Sequence, residues 1–326
     1  MELHEAVAPA GVVAVDPAVL AETRAFNEQL ERVLAGLRRV DTLPPEVTRQ
    51  ARREGRGAFP APVHLPQARD LTIPARGGDL RLRVLAPEGA APSGVYLHLH
   101  GGGWTLGAAD MQDPPLWTLV EATGMAAVSV DYRLAPEHPF PAGPDDCEDA
   151  ALWLLERGAR ELGAPERFTV GGESAGAHLA ALTLLRLRDR HGISGAFAGA
   201  NLVFGVYDLS MVPSQRLWGE RNLVLNTPIS RWFGDNFLPG VDAEARRDPE
   251  ISPLFADLRG MPPAIFTAGT LDQLLDDSLF MEARWRMAGA RTELRVWPEA
   301  VHSFTAFPTA LAVAAEAEVH AFLRSV

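Results

Sequence analysis

The 326-residue sequence contains no lysine: all 30 of its basic residues are arginine. Schiff-base chemistry and a serine–lysine nucleophile pair are thereby excluded, because both need an amine that can lose its proton near neutral pH. Cysteine is nearly absent as well. The single Cys147 can form neither an internal disulfide nor a thiolate metal cage. It lies in Asp145-Asp-Cys-Glu-Asp149, where acidic neighbours raise a thiol's pKa, so it reads as inert packing. No apolar run approaches the length of a membrane span, and the start, Met-Glu-Leu-His-Glu, is acidic where a secretory signal is positively charged. These features predict a cytoplasmic protein with no membrane span. Positive charge is in deficit, with a net charge of −12, which argues against a nucleic-acid partner.

What is present is apolar material: 47% of residues are hydrophobic and 22% charged, enough for one large core with an appended lid. Residues 1–60 stand apart. Asp16-Pro17 is a helix cap followed by proline at the first helical position, and Val19, Phe26, Leu30, Val33, Leu34 and Leu37 share one helical face. Arg49 to Arg56, with four arginines, reads as a solvated segment. From residue 70 the pattern changes to short apolar strands: Leu71–Ala75, Leu80–Ala86, Val95–His100, Ala126–Asp131, Phe168–Val170, Ala200–Val206, Ala264–Ala268 and Thr292–Trp297. Helical stretches separate them at Pro114–Thr123, Cys147–Leu162, Ala175–Arg190, Leu274–Ala288 and Thr309–Leu323. This alternation predicts an α/β fold with a mostly parallel sheet and right-handed crossovers. An insertion, residues 208–258, is too long for a simple loop and carries Trp218, Trp232, Phe233 and Phe237, which either line a cleft or pack the insertion onto the core. The predicted division is a cap of residues 1–60 and 208–258 on a core of residues 61–207 and 259–326. In the Tyr132–Pro144 segment the prolines stiffen a connection, and Arg133 is expected to pair with Glu137.

The stretch Phe168-Thr-Val-Gly-Gly-Glu-Ser-Ala-Gly-Ala177 runs from a strand through a Gly-x-Ser-x-Gly turn into a helix. Such a turn strains the serine backbone and exposes Ser174 at the strand's carboxyl end, and only small residues at Gly172 and Gly176 let the two segments pass. A serine hydroxyl needs a base to become a nucleophile. Of nine histidines, His302 is best placed, on the loop after the last strand and so at the same sheet edge as Ser174. His98 and His100 belong to a strand and its end, His178 points along the helix after the serine, and His320 reads as a surface residue. A base needs a carboxylate behind it. Asp272 follows the strand Ala264–Ala268, whereas Asp276 and Asp277 fall in the next helix's first turn, where carboxylates serve as caps. His100-Gly-Gly-Gly-Trp104 follows a strand that precedes the nucleophile's, where Gly101, Gly102 and Gly103 let backbone amides turn into a cavity beside the amide of Ala175. Trp104, Trp218 and Phe233 are the candidate substrate-binding rings.

Together His100-Gly-Gly-Gly-Trp104, Asp131-Tyr-Arg-Leu-Ala-Pro-Glu137, Gly172-Glu-Ser-Ala-Gly176, Asp272-Gln-Leu-Leu-Asp276 and Val301-His-Ser-Phe304 resemble the hormone-sensitive-lipase family of α/β-hydrolase esterases, over about residues 70–325. The resemblance implies an α/β-hydrolase fold with an eight-stranded sheet and a helical cap. It implies a triad of Ser174, Asp272 and His302, with Gly102, Gly103 and Ala175 as oxyanion donors. Two positions depart from the pattern: Glu173 stands where many members have Asp, and Ser303 where they usually have Gly. The expected activity is carboxylesterase action on small-molecule esters of short acyl chains, with no metal or organic cofactor. Two rivals share the fold. One is a ligand-binding protein, as in the plant gibberellin receptors that resemble this family but lack a competent base. The other is hydrolysis of a lactone or amide by the same groups. Family members often pair, so a homodimer is an expectation that no feature of the sequence compels.

Overall fold

The computed structural model describes residues 11–326; the expectations for the acidic N-terminus and the first ten residues of the cap segment lie outside the described residues. Helix α1 (Pro17–Gly36) starts where Asp16 accepts a hydrogen bond from the amide of Ala18 at 2.7 Å, with proline at the first position. It is followed by α2 (Pro45–Arg53). The strands are β1 (Arg69–Ala75), β2 (Gly78–Leu85), β3 (Val95–Leu99) and β4 (Ala126–Val130), with α3 (Asp113–Thr123) between the last two. Helix α4 (Ala142–Trp153) passes through a π-helical turn, Leu154–Gly158, into α5 (Ala159–Glu161). Then come β5 (Phe168–Glu173), α6 (Ala175–His191), β6 (Phe197–Val203), α7 (Pro213–Leu217), α8 (Thr227–Phe237), β7 (Ala264–Leu271), α9 (Leu275–Met287), β8 (Thr292–Val301) and α10 (Ala310–Ser325).

The strands form one eight-stranded sheet in the order β1-β2-β4-β3-β5-β6-β7-β8. The β1–β2 and β2–β4 pairs are antiparallel, and every later pair is parallel. Every residue of β3 and β4 is buried, as expected of strands covered by helices on both faces. All eight predicted strands form, with shifted ends. The sixth starts earlier, at Phe197, and stops at Val203, because Phe204 adopts a positive φ (34°) that turns the chain out of the ladder. The helix predicted from Cys147 begins at Ala142 instead: Pro144 falls in its first turn, where no intrahelical amide is needed.

The N-terminal segment meets the rest of the chain through specific contacts. The chain before α1 pairs with β8, Val13 donating to Val296 at 3.0 Å, and α1 packs on β8 and α10. Arg49 on α2 is not solvated as expected. Its guanidinium donates to the carbonyls of Thr105 (2.8 Å) and Ala135 (2.7 Å) and to the Glu137 carboxylate, fastening α2 to the loops that follow β3 and β4. That leaves Arg133 without its expected partner, and it binds Asp146 instead, at 2.8 Å. Cys147 is buried, and burial with neighbouring Asp146 pushes its thiol up. Among the described residues no helix is long and apolar enough to cross a membrane.

Candidate active site

The parallel strands deliver their carboxyl ends to one rim, and the loops there carry the predicted groups. Ser174 follows β5 with φ +57° and ψ −117°, a conformation unusual for any residue with a side chain, and its amide donates to the carbonyl of Val203 at 2.8 Å. The turn closes only because its glycines are bare. A Cβ on Gly172 would lie 2.0 Å from the Leu99 carbonyl oxygen, and one on Gly176 only 1.8 Å from it.

His302 lies just beyond β8, buried at 4% exposure. Its Nε2 is 3.0 Å from Ser174 Oγ, and its Nδ1 is 2.8 Å from Asp272 Oδ2. Asp272 is buried at 2% exposure, and its other oxygen accepts from the amide of Leu274 at 2.8 Å. A carboxylate held this way accepts a hydrogen bond from Nδ1–H, which leaves Nε2 as the acceptor for the serine hydroxyl. The edge of Phe204 packs against the imidazole, ring centres 5.0 Å apart. The two rival carboxylates are committed elsewhere. Asp276 accepts from the amide of Ser214, and Asp277 from the amides of Tyr207 and Asp208 and from Gln215.

Gly101, Gly102 and Gly103 line the cavity onto which Ser174 opens. Among the described residues, no protein acceptor takes the amides of Gly102 and Gly103, whereas the carbonyl of Gly102 accepts from Leu106 at 2.8 Å. Gly103 has φ +59°, and a Cβ there would collide with the ring of Phe233 at 2.3 Å. Ala175 is fully buried at the first position of α6. Trp104 and Phe233 both line the cavity. Trp104 stacks on Phe237 with ring centres 4.5 Å apart and donates its indole N–H to His178 Nδ1 at 3.1 Å. His178 in turn donates from Nε2 to the Ile251 carbonyl at 2.8 Å, so it braces Trp104 rather than Ser174. His100 stacks on Tyr132 at 4.1 Å and bonds the Gly101 carbonyl, shaping the glycine loop.

Two expectations are corrected here. Trp218 is not part of the cavity wall. It packs with Val19 and Phe26 against the cluster around Leu30 and Trp297, and its indole donates to the Arg221 carbonyl. His320 is not a surface residue: it is 8% exposed and lines the same cavity. Ser303 occupies a left-handed position at φ +61°, where glycine is the ordinary occupant, so the departure from the family pattern is carried as backbone strain. The cavity measures about 1150 Å³. Leu34, Val47 and Thr48 line it from the N-terminal segment, and Leu209, Ile229 and Phe233 from the insertion. Arg49, whose clamp fixes α2 over the glycine loop, was missed in the sequence because its partners, two backbone carbonyls and the Glu137 carboxylate, lie 56 to 88 residues away along the chain.

The sequence profile of the alpha/beta hydrolase fold family matches residues 96–306. The carboxylic ester hydrolase LipN of Mycobacterium tuberculosis is 33% identical over 252 residues, which is 76% of this chain and 66% of that protein. This chain thus spans about two thirds of that relative's length. The carboxylesterase NlhH of the same species is 35% identical over 68% of this chain and 70% of its own. Among solved structures, a thermostable esterase from Pseudomonas putida superposes with a TM-score of 0.83 at 27% identity, covering 96% of this chain and 98% of that one. The Pyrobaculum calidifontis esterase gives 0.81 at 29% identity, with coverage of 91% and 97%. The chain therefore belongs to the alpha/beta hydrolase fold family, in its hormone-sensitive-lipase branch of carboxylic ester hydrolases.

Proposed function

We propose that this protein hydrolyses carboxylic esters of short acyl chains by way of an acyl-serine intermediate. The observation that carries the reading is the continuous hydrogen-bonded line from Asp272 through His302 to Ser174, at 2.8 and 3.0 Å. Ser174 Oγ attacks the ester carbonyl carbon while His302 Nε2 takes its proton. The amides of Gly102, Gly103 and Ala175 donate to the oxyanion, with Gly101 giving the loop its approach. The imidazolium, stabilised by Asp272, returns the proton to the departing alkoxide. Water then attacks the acyl-serine, with His302 again as base, and releases the acid. The short acyl preference is supported by Phe233, whose ring occupies the space into which a side chain on Gly103 would project, beside the proposed oxyanion donors. The N-terminal segment and the insertion act together as the cap that encloses substrate.

Turnover of p-nitrophenyl acetate, butyrate, octanoate and decanoate tests both parts of this reading. Wild type is expected to favour acetate and butyrate, and Ser174→Ala to lose about a millionfold in kcat. A Ser174→Ala variant with appreciable turnover overturns the nucleophile, and a preference for decanoate overturns the acyl assignment. Amide or lactone substrates turned over in place of esters would reverse the reaction class, and binding of a ligand with no turnover of any substrate would make the protein a binder.

A further inference from the structure

Beyond Ser174 the cavity continues as a polar chamber on the sheet face that carries α3 and α10. Strand register puts Gly171 beside Asn201 and Glu173 beside Val203, with Thr267 next in that row, so these positions share one face with Tyr96. Tyr96, Glu173, Asn201 and Thr267 line the chamber from the sheet, and Glu316 and His320, one turn apart on α10, line it from above. Glu173 directly precedes Ser174, so the chamber abuts the reacting centre.

Its chemistry is one-sided. Glu173 is met by His98 Nε2 at 3.1 Å. Among the described residues, the Glu316 carboxylate has neither an ion pair nor a hydrogen bond, and the ring of His320, more than nine-tenths buried, has no hydrogen-bond partner. Asn201 donates to the Tyr96 hydroxyl at 3.2 Å, while its Oδ1 accepts nothing, and the buried Thr267 hydroxyl is likewise unpartnered. Arg324, one turn beyond His320, points away, donating to the Ala122 carbonyl on the exposed side. Burial and the neighbouring Glu173 carboxylate push the Glu316 carboxyl up to about 7, the mark of two acids without a cation between them. Such a wall offers acceptors and negative charge in surplus, and a buried acceptor left unpaired is costly until a donor meets it.

We propose that this chamber is a subsite for a protonated amine carried by the substrate, so that the preferred esters bear an ammonium N–H group. The proposal rests on the esterase reading above and adds its substrate class. The ammonium would sit between Glu316 and Glu173 and donate to the Glu316 carboxylate, with Asn201 Oδ1 and His320 as further acceptors.

Two isosteric pairs test it on either side of the scissile bond: 2-(dimethylamino)ethyl acetate against 3-methylbutyl acetate, and ethyl 4-(dimethylamino)butanoate against ethyl 5-methylhexanoate. In at least one pair kcat/KM is expected to favour the amine by about tenfold or more, and Glu316→Gln to bring that ratio near one. Neutral esters turned over with both ratios at or below one would overturn the subsite and leave the esterase reading intact. Calorimetry of wild type with 2-(dimethylamino)ethanol against 3-methylbutanol, and with 4-(dimethylamino)butanamide against 5-methylhexanamide, supplies an arm that needs neither turnover nor a folded variant. Tighter binding of the amine in either pair supports the subsite, and equal or weaker binding in both overturns it even if no ester is hydrolysed.

Discussion

The imidazole of His302 stands 3.0 Å from the hydroxyl of Ser174, although 128 residues separate them along the chain. Nothing local brings them together. Each follows the carboxyl end of a strand, β8 and β5, in a sheet whose parallel strands all present that end to one rim. The backbone strain of Ser174 is the cost of holding its hydroxyl at that meeting point.

If Asp272 holds the imidazole, Asp272→Asn should lower kcat by about four orders of magnitude. An amide in that place can present N–H to Nδ1 and stabilise the wrong tautomer. Asp276→Asn, which disturbs only a bond to the Ser214 amide, should cost less than about tenfold. Steady-state kinetics on p-nitrophenyl butyrate separates the two, and equal losses would reassign the carboxylate.

Gly176→Ala should cost more than about 3 kcal/mol or abolish folding, because its methyl would overlap the Leu99 carbonyl oxygen. Gly57→Ala, with open space around it, should change stability by less than about 1 kcal/mol. Urea unfolding followed by circular dichroism measures both.

Arg49→Met removes the clamp on the Thr105 and Ala135 carbonyls and should destabilise by about 1–3 kcal/mol. It should also raise KM more than it lowers kcat, since α2 lines the cavity without reaching Ser174. A pure loss of kcat would contradict that placement.

His178 gives a pH dependence with a definite sign. Burial pushes its pKa down to about 4 from an ordinary 6.5, so between those values the unfolded chain holds a proton that the folded chain does not. Stability therefore falls as pH drops from about 6.5 toward 4. The geometry agrees with that direction: Nδ1 accepts the Trp104 indole N–H, and a second proton there would set donor against donor. In His178→Leu the slope of the urea midpoint over that range should shrink; an unchanged slope would mean that His178 contributes nothing to it.

The strand positions and the neighbourhood of Ser174 were legible in the sequence for a physical reason. Strands covered on both faces must be continuously apolar, and a turn as tight as the one at Ser174 needs glycine where Leu99 passes. The loop after β8 could be placed at the right rim from chain direction alone. What was not legible depends on partners distant in sequence. Arg49 looks like any surface arginine until the carbonyls it clamps are in view, and Arg133 chose Asp146 over the nearer Glu137 because helix α4 brings that carboxylate against it. Trp218 and Phe233 are both aromatic residues of one insertion. Only the packing of Trp218 against the cluster around α1, and of Phe233 against Gly103, divides them. His320 sits among alanines and glutamates that suggest a solvated helix face, yet α3 and the sheet close over it.

Reaction with diethyl p-nitrophenyl phosphate followed by tryptic mass spectrometry identifies the nucleophile. With no lysine in the chain, cleavage at Arg167 and Arg186 isolates Ser174 as the only serine of its peptide. One diethylphosphoryl group per chain is expected, on Ser174, with activity lost in proportion to labelling. Activity lost while that peptide stays unmodified would contradict it.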